Sequence, residues 1–339
     1  MSSSRLLVSA ADEPEAAPGA ARRESAARFA SVVDLISAGG LEFPLPGSGR
    51  TAARFAALRS VAEEDLCSAR LVEGHVDALA ILAELDGPPP APGRRWGVWA
   101  AEPPGTTLKA ARSGEGWLLS GLKPYCSGAH SCTDALVTAR APDGRRLFAV
   151  TVDPRHCVPV EGSWRAVGMA GSDTPAVRFD EVPALAVGEV DSYVRRPGFQ
   201  HGGVGVAACW YGGALAVART LRRAAGRRPD PHSDAHFGAV DMQLHAAGVL
   251  LEQAATEIDG DPSDDRGQAR VRGLRVRAFV ESVCAEVLTR VGRATGAGPL
   301  CHDLRHARNV ADLAVYVRQH HGERDLAELG ALLARPGGS

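Results

Sequence analysis

The sequence predicts an α+β chain in three parts: helical, then β, then helical. Three observations predict it. Apolar residues recur at helical spacing over residues 26–85, the period changes to two over residues 95–190, and longer helical runs return after Pro197. The first change falls at Asp86-Gly-Pro-Pro-Pro-Ala-Pro-Gly93, which carries too much proline for a helix to cross it. The expected multi-domain arrangement is a lead at 1–24, a helical domain at 25–93, a β domain at 94–196 and a helical bundle at 197–339.

The elements follow in order. Residues 1–23 are rich in Ala and Ser, carry Asp12, Glu13 and Glu15, and lack an apolar core. They read as a disordered lead rather than a secretory or transit segment. Val32, Val33, Leu35 and Ile36 form an apolar stripe that stops at Gly39-Gly40. After the loop at 44–49, Thr51 is placed to cap the next helix. Leu58, Val61, Leu66, Ala69 and Leu71, then Val76, Leu79, Ile81 and Leu82, continue the helical spacing. Short strands are expected at 97–101, 107–111, 117–120, 124–126, 135–139, 147–152 and 176–179, a spacing that suits a β barrel or sandwich. Helices are expected at 206–225, 239–258, 269–294, 304–319 and 325–333. Gly212 and Gly213 inside the first of these point to close helix packing.

Composition excludes several classes. The 339 residues carry a formal charge of −2, so nothing marks a nucleic-acid partner. No run of 18 apolar residues occurs, so no transmembrane helix and no membrane partner is expected. Seven cysteines without a C-x-x-C pair give no metal cage. They read as core thiols of a protein kept in a reducing cytoplasm. No G-x-G-x-x-G follows a strand, so a Rossmann cofactor site is unsupported.

The most informative stretch is Gly116-Trp-Leu-Leu-Ser-Gly-Leu-Lys-Pro-Tyr-Cys-Ser-Gly128. Its pattern predicts a strand, a tight turn at Gly121 and a second strand presenting Tyr125 and Ser127 on one side. A flat ring beside a short hydroxyl can hold a planar polar heterocycle. Upstream lies Trp99-Ala-Ala-Glu-Pro103. Downstream lies Val167-Gly-Met-Ala-Gly-Ser-Asp-Thr-Pro175, followed by Val177-Arg-Phe-Asp-Glu-Val-Pro183. In this order and spacing the three segments resemble the middle β domain of the acyl-CoA dehydrogenase family, over most of the chain from about Thr51 to Leu333.

The resemblance implies a helical domain, a middle β barrel and a C-terminal helical bundle, with FAD wedged between barrel and bundle. It implies that Tyr125 covers the flavin ring and that Ser127 bonds near its N5. Ala101 stands where the family has the Thr of Thr-Glu-Pro, so one hydroxyl contact is missing and a backbone amide would serve. Arg228, counted from Gly212-Gly213, would reach the FAD pyrophosphate across a subunit boundary. The competing readings are an ordinary barrel edge for Tyr125 and Ser127, and exposed arginines at a helix end for Arg227 and Arg228.

Two departures bear on activity. The family's base is a glutamate about nine residues past an arginine. Counting from Arg305 puts Ala314 there and leaves Asp312 as the nearest carboxylate. The "Gly-Ser-Asp" loop that follows Thr-Glu-Pro is also absent. His320 or His321 could instead manage a flavin–oxygen adduct, as in monooxygenases of this fold, or simply close a helix. His302 and His306, four apart on one expected helix, lack the Glu of a zinc motif. The resemblance therefore implies FAD-dependent oxidation of an acyl thioester, as a CoA ester or a related small molecule, by a homodimer or homotetramer. The alternatives are a reduced-flavin monooxygenase and a degenerate member that serves as a structural or assembly partner.

Overall fold

The computed structural model describes residues 18–105, 108–225 and 230–334. Helix α1 (Pro18–Ser37) already begins inside the stretch expected to be a disordered lead. Proline at the first helical position is preorganised for the helix, and the Ala-, Arg- and Glu-rich residues after it are good helix formers. Burial of Ser25, Phe29 and Val33 holds the helix to the body. Helices α2 (Thr51–Glu64) and α3 (Leu66–Glu84) follow. Asp65 caps α3 by accepting from the Ser68 amide at 2.6 Å. Thr51 does not act as the expected cap. Its Oγ1 accepts from the Gly47 amide at 2.8 Å and donates to Asp259 Oδ1 at 2.6 Å, tying the loop to the C-terminal bundle.

The middle region is a closed barrel. Strands β1 (Trp96–Trp99), β2 (Lys109–Ser113), β3 (Gly116–Lys123), β4 (Asp134–Ala141), β5 (Gly144–Thr151), β6 (Cys157–Pro159) and β7 (Val177–Val187) form one sheet. It runs β1-β4-β2-β3-β7-β5, and the β4–β5 pairing closes it. β1 runs parallel to the first half of β4. The turn expected at Gly121 is not there: β3 is one strand. Gly121 instead absorbs a shift of register against β7 at φ +126°, a backbone conformation open to glycine. Strand β6 was not anticipated, because three residues are too few to show alternation.

The C-terminal part comprises α4 (Ser192–Arg195), α5 (Pro197–Ala225), α6 (Pro231–Gly260), α7 (Ala269–Thr295), α8 (Gly298–His302), α9 (Leu304–Tyr316) and α10 (Glu323–Leu333). Helix α5 is the axis, packed on α2, α3, α6, α7 and α9. A Cβ on Gly212 would meet the Arg59 carbonyl oxygen, and one on Gly213 would meet Leu66, so both glycines do serve close packing. α5 is long and apolar enough to cross a membrane, but 83% of that stretch is buried inside the protein, as in a core helix. One apolar core runs from Phe29 and Leu66 through Trp210 and Val280 to Trp99, Phe148 and Phe179, so helices and barrel share it. Six of the seven cysteines are buried, and Cys301 is exposed.

Candidate functional site

The three motif segments meet at Ser127. The Trp99 indole Nε1 donates to the Ser127 carbonyl at 2.9 Å, joining the end of β1 to the loop after β3. From the other side, the amides of Cys126, Gly128 and Ala129 donate to the carbonyls of Pro175, Ser172 and Asp173 at 2.9, 2.9 and 3.2 Å. Thr174 Oγ1 lies 3.1 Å from Ser127 Oγ and 2.8 Å from Ser172 Oγ, which lies 2.8 Å from the Met169 carbonyl oxygen. The result is a platform of two loops, residues 124–131 and 167–175, with a buried line of hydroxyls. Each hydroxyl has one proton: when Ser172 donates to Thr174 and Thr174 to Ser127, the Ser127 proton is free, and when Ser172 donates to Met169, Ser127 donates to Thr174.

Tyr125 and Ser127 lie in the loop and not on a second strand. Lys123 ends β3, and Pro124 supplies no amide to continue the ladder. Tyr125 takes φ +57° and is 54% exposed as a residue, whereas Ser127 is buried. An aromatic ring presented to the outside next to a buried donor suits stacking on a planar group.

Ala101 follows β1 in a loop anchored by Lys123. That lysine is fully buried, and its Nζ donates to the Thr138 carbonyl at 2.7 Å and to Thr138 Oγ1 at 2.8 Å. It lies 3.7 Å from Glu102. Burial pushes the ammonium down to about 8, against the pull of Glu102. Arg228 and Arg227 lie outside the described residues.

The carboxyl of Asp312, on α9, accepts from the Met169 amide and so docks the second loop onto the helix. Gly168 permits this approach: a Cβ there would strike the Ala311 carbonyl oxygen. Burial pushes the Asp312 carboxyl up to about 6, the Met169 hydrogen bond opposing it. Ala314 lies on the exposed face of α9, away from Asp312. The structure thus joins Ser127 to Asp312 through Thr174, Ser172 and Met169.

It does not bring His320 or His321 into that line. His320 is buried and accepts from the Gly322 amide at 3.2 Å, and both histidines lie within 3.7 Å of Asp325 at the start of α10. Burial lowers the His320 imidazole. His302 and His306 are on different helices, because Asp303 ends α8 and caps α9 by accepting from the His306 amide at 3.0 Å.

Two arrangements escaped sequence reasoning. Asp173, itself buried, holds His130 Nδ1 at 2.9 and 3.0 Å and accepts the His130 amide at 2.9 Å. A pair 43 residues apart leaves no local pattern. The second lies within α3, where Arg70 and Glu73 form a buried ion pair beside Asp77. Burial pushes the Glu73 carboxyl up, and Arg70 opposes it. Here a signal existed: charges at i, i+3 and i+7 inside an otherwise apolar helix.

No protein-family model and no curated protein matches the sequence. Solved structures do match the fold. Butyryl-CoA dehydrogenase from Megasphaera elsdenii superposes with a TM-score of 0.77 at 17% identity, covering 95% of each chain. The chain has the acyl-CoA dehydrogenase fold. TdsC from Paenibacillus sp. A11-2, solved with FMN and indole, gives a TM-score of 0.76 at 17% identity, covering 95% of this chain and 98% of that one. Nitrososynthase from Micromonospora carbonacea var. africana gives 0.74 at 22% identity, covering 92% and 89%. The acyl-CoA dehydrogenase fold thus spans nearly the whole chain, with the two-loop platform where the barrel meets α9.

Proposed function

We propose that the protein is a flavin-dependent oxidoreductase, with FAD as the flavin and an acyl thioester or related small molecule as the substrate. The observation that carries this reading is the convergence of three separate segments on Ser127, with the exposed Tyr125 two residues before it. The donor set fits a flavin. An exposed tyrosine offers a stacking face, and a nearby hydroxyl can donate to an acceptor nitrogen at the edge of a planar ring. A bound flavin would supply the two-electron acceptor that no amino-acid side chain provides.

The remaining roles belong to the chain. Tyr125 covers the ring and excludes water from it. Ser127 donates, oriented by Thr174 and Ser172. The loop at Ala101, anchored through Glu102 and Lys123, offers backbone rather than a hydroxyl. Asp312 positions the second loop through the Met169 amide. The platform lies on the barrel, and we assign its second wall to another copy of the chain, in a dimer or tetramer in which Arg228 reaches the pyrophosphate.

The test is the visible spectrum of the purified protein, as isolated and after titration with FAD or FMN. The expected result is a bound flavin chromophore, tighter with FAD, that bleaches anaerobically with an acyl-CoA. Tyr125→Ala should weaken flavin binding about tenfold, the equivalent of about 1.4 kcal/mol, and leave the melting temperature unchanged. A colourless protein that refuses both flavins overturns the proposal.

A further inference from the structure

We propose that His130 is the proton acceptor of this site, held in its working tautomer by Asp173. The inference rests on the flavin-dependent reading above. His130 belongs to the same loop as Tyr125 and Ser127, and Asp173 to the facing loop between Ser172 and Thr174. The pair is therefore part of the platform.

The geometry sets the tautomer. Both Asp173 oxygens lie 2.9–3.0 Å from His130 Nδ1, and the backbone amide of His130 donates to Oδ2 at 2.9 Å. A buried carboxylate facing a ring nitrogen accepts a hydrogen bond and cannot donate one when ionised, so Nδ1 carries the proton. In the neutral ring the lone pair is then at Nε2. The His130 side chain is 43% exposed whereas that of Asp173 is 7% exposed, so the ring runs from a buried anchor to solvent. Among the described residues nothing bonds Nε2. The charged groups against the ring are Asp173 and, from α1, Arg22, whose Nη1 lies 3.4 Å from Nδ1. The shorter contacts to a buried carboxylate decide the ring's orientation, and Arg22 adds positive charge beside Asp173.

Asp312 is less suited to the task, since its carboxyl is buried and engaged with the Met169 amide. In the proposed step the substrate loses two hydrogens. One leaves as a proton to His130 Nε2, forming N–H as the substrate's bond to that hydrogen breaks. The other leaves as a hydride to the oxidised flavin, so the substrate loses two electrons and the flavin gains them. The imidazolium then returns its proton to solvent through the exposed ring edge.

The experiment uses the full chain. Ring ¹⁵N shifts of His130 should report the Nδ1–H tautomer in the neutral ring, and Asp173→Asn should abolish that preference. His130→Gln should lower turnover about 100-fold at saturating substrate and remove the acidic limb of the pH–rate profile, with flavin affinity within about twofold of wild type. An Nε2–H tautomer, or His130→Gln turnover within about twofold of wild type, overturns the proposal. Failure of the protein to take up flavin is a different result. It overturns the reading of the platform as a flavin site, and the tautomer measurement still decides whether Asp173 holds His130 as an acceptor.

Discussion

Replacing Asp312 by Asn isolates the cost of an ionised carboxyl at the junction of barrel and bundle. Asp312 is 8% exposed, and burial raises its carboxyl from the ordinary 3.8 to about 6. In the unfolded chain the group ionises near its ordinary value. Below pH 4 both states are protonated and the site contributes no pH dependence. Between pH 4 and pH 6 the unfolded chain releases the proton first, so stability falls as pH rises. Above pH 6 both are ionised and the loss is complete. At about 1.4 kcal/mol per tenfold in the proton equilibrium, the loss is about 3 kcal/mol. An amide oxygen can still accept from the Met169 amide without the charge. Asp312→Asn should therefore gain about 3 kcal/mol relative to wild type between pH 4 and pH 7.5. Urea unfolding at pH 4, 5, 6 and 7.5 reads the difference directly, because every other carboxylate is common to both proteins. A stability difference that stays flat across this range would refute the argument.

Two further outcomes follow from packing. Gly168→Ala should destabilise the fold by about 2–4 kcal/mol, because the new methyl collides with the Ala311 carbonyl oxygen in α9. Thermal unfolding would show a drop of several degrees. Glu73→Gln should cost about 2–4 kcal/mol by leaving the half-buried Arg70 without its partner's charge, whereas Arg70→Met combined with Glu73→Met should recover most of that loss. A double-mutant cycle in urea checks both.

Local pattern carried much of this molecule. The change from helical to alternating period marked the barrel, and Pro197 and the glycines of α5 marked the bundle, because both signals come from which side of one element is buried. Tyr125 and Ser127 were legible as an aromatic and a hydroxyl two residues apart. Their placement in a loop was not, since Gly121 reads equally as a turn or as a bulge until its partner strand is known. His302 and His306 shared a helical spacing that Asp303 interrupts. Helix α1 was missed at its first turns because its buried face is supplied by a turn some 150 residues away in the chain, where Gly171 sits against Ala21 and Ser25.

The sequence by itself determined the order of helical and β parts, the motif segments, and the absence of the usual glutamate at Ala314, because residue types and their period are local properties of the chain. Only the tertiary structure decided that those segments meet at Ser127, that Asp312 docks a loop through Met169, and that Asp173 holds His130. Those contacts join residues far apart along the chain. Barrel closure and the packing of α9 bring them within hydrogen-bonding distance, and nothing in the spacing of the residues records it.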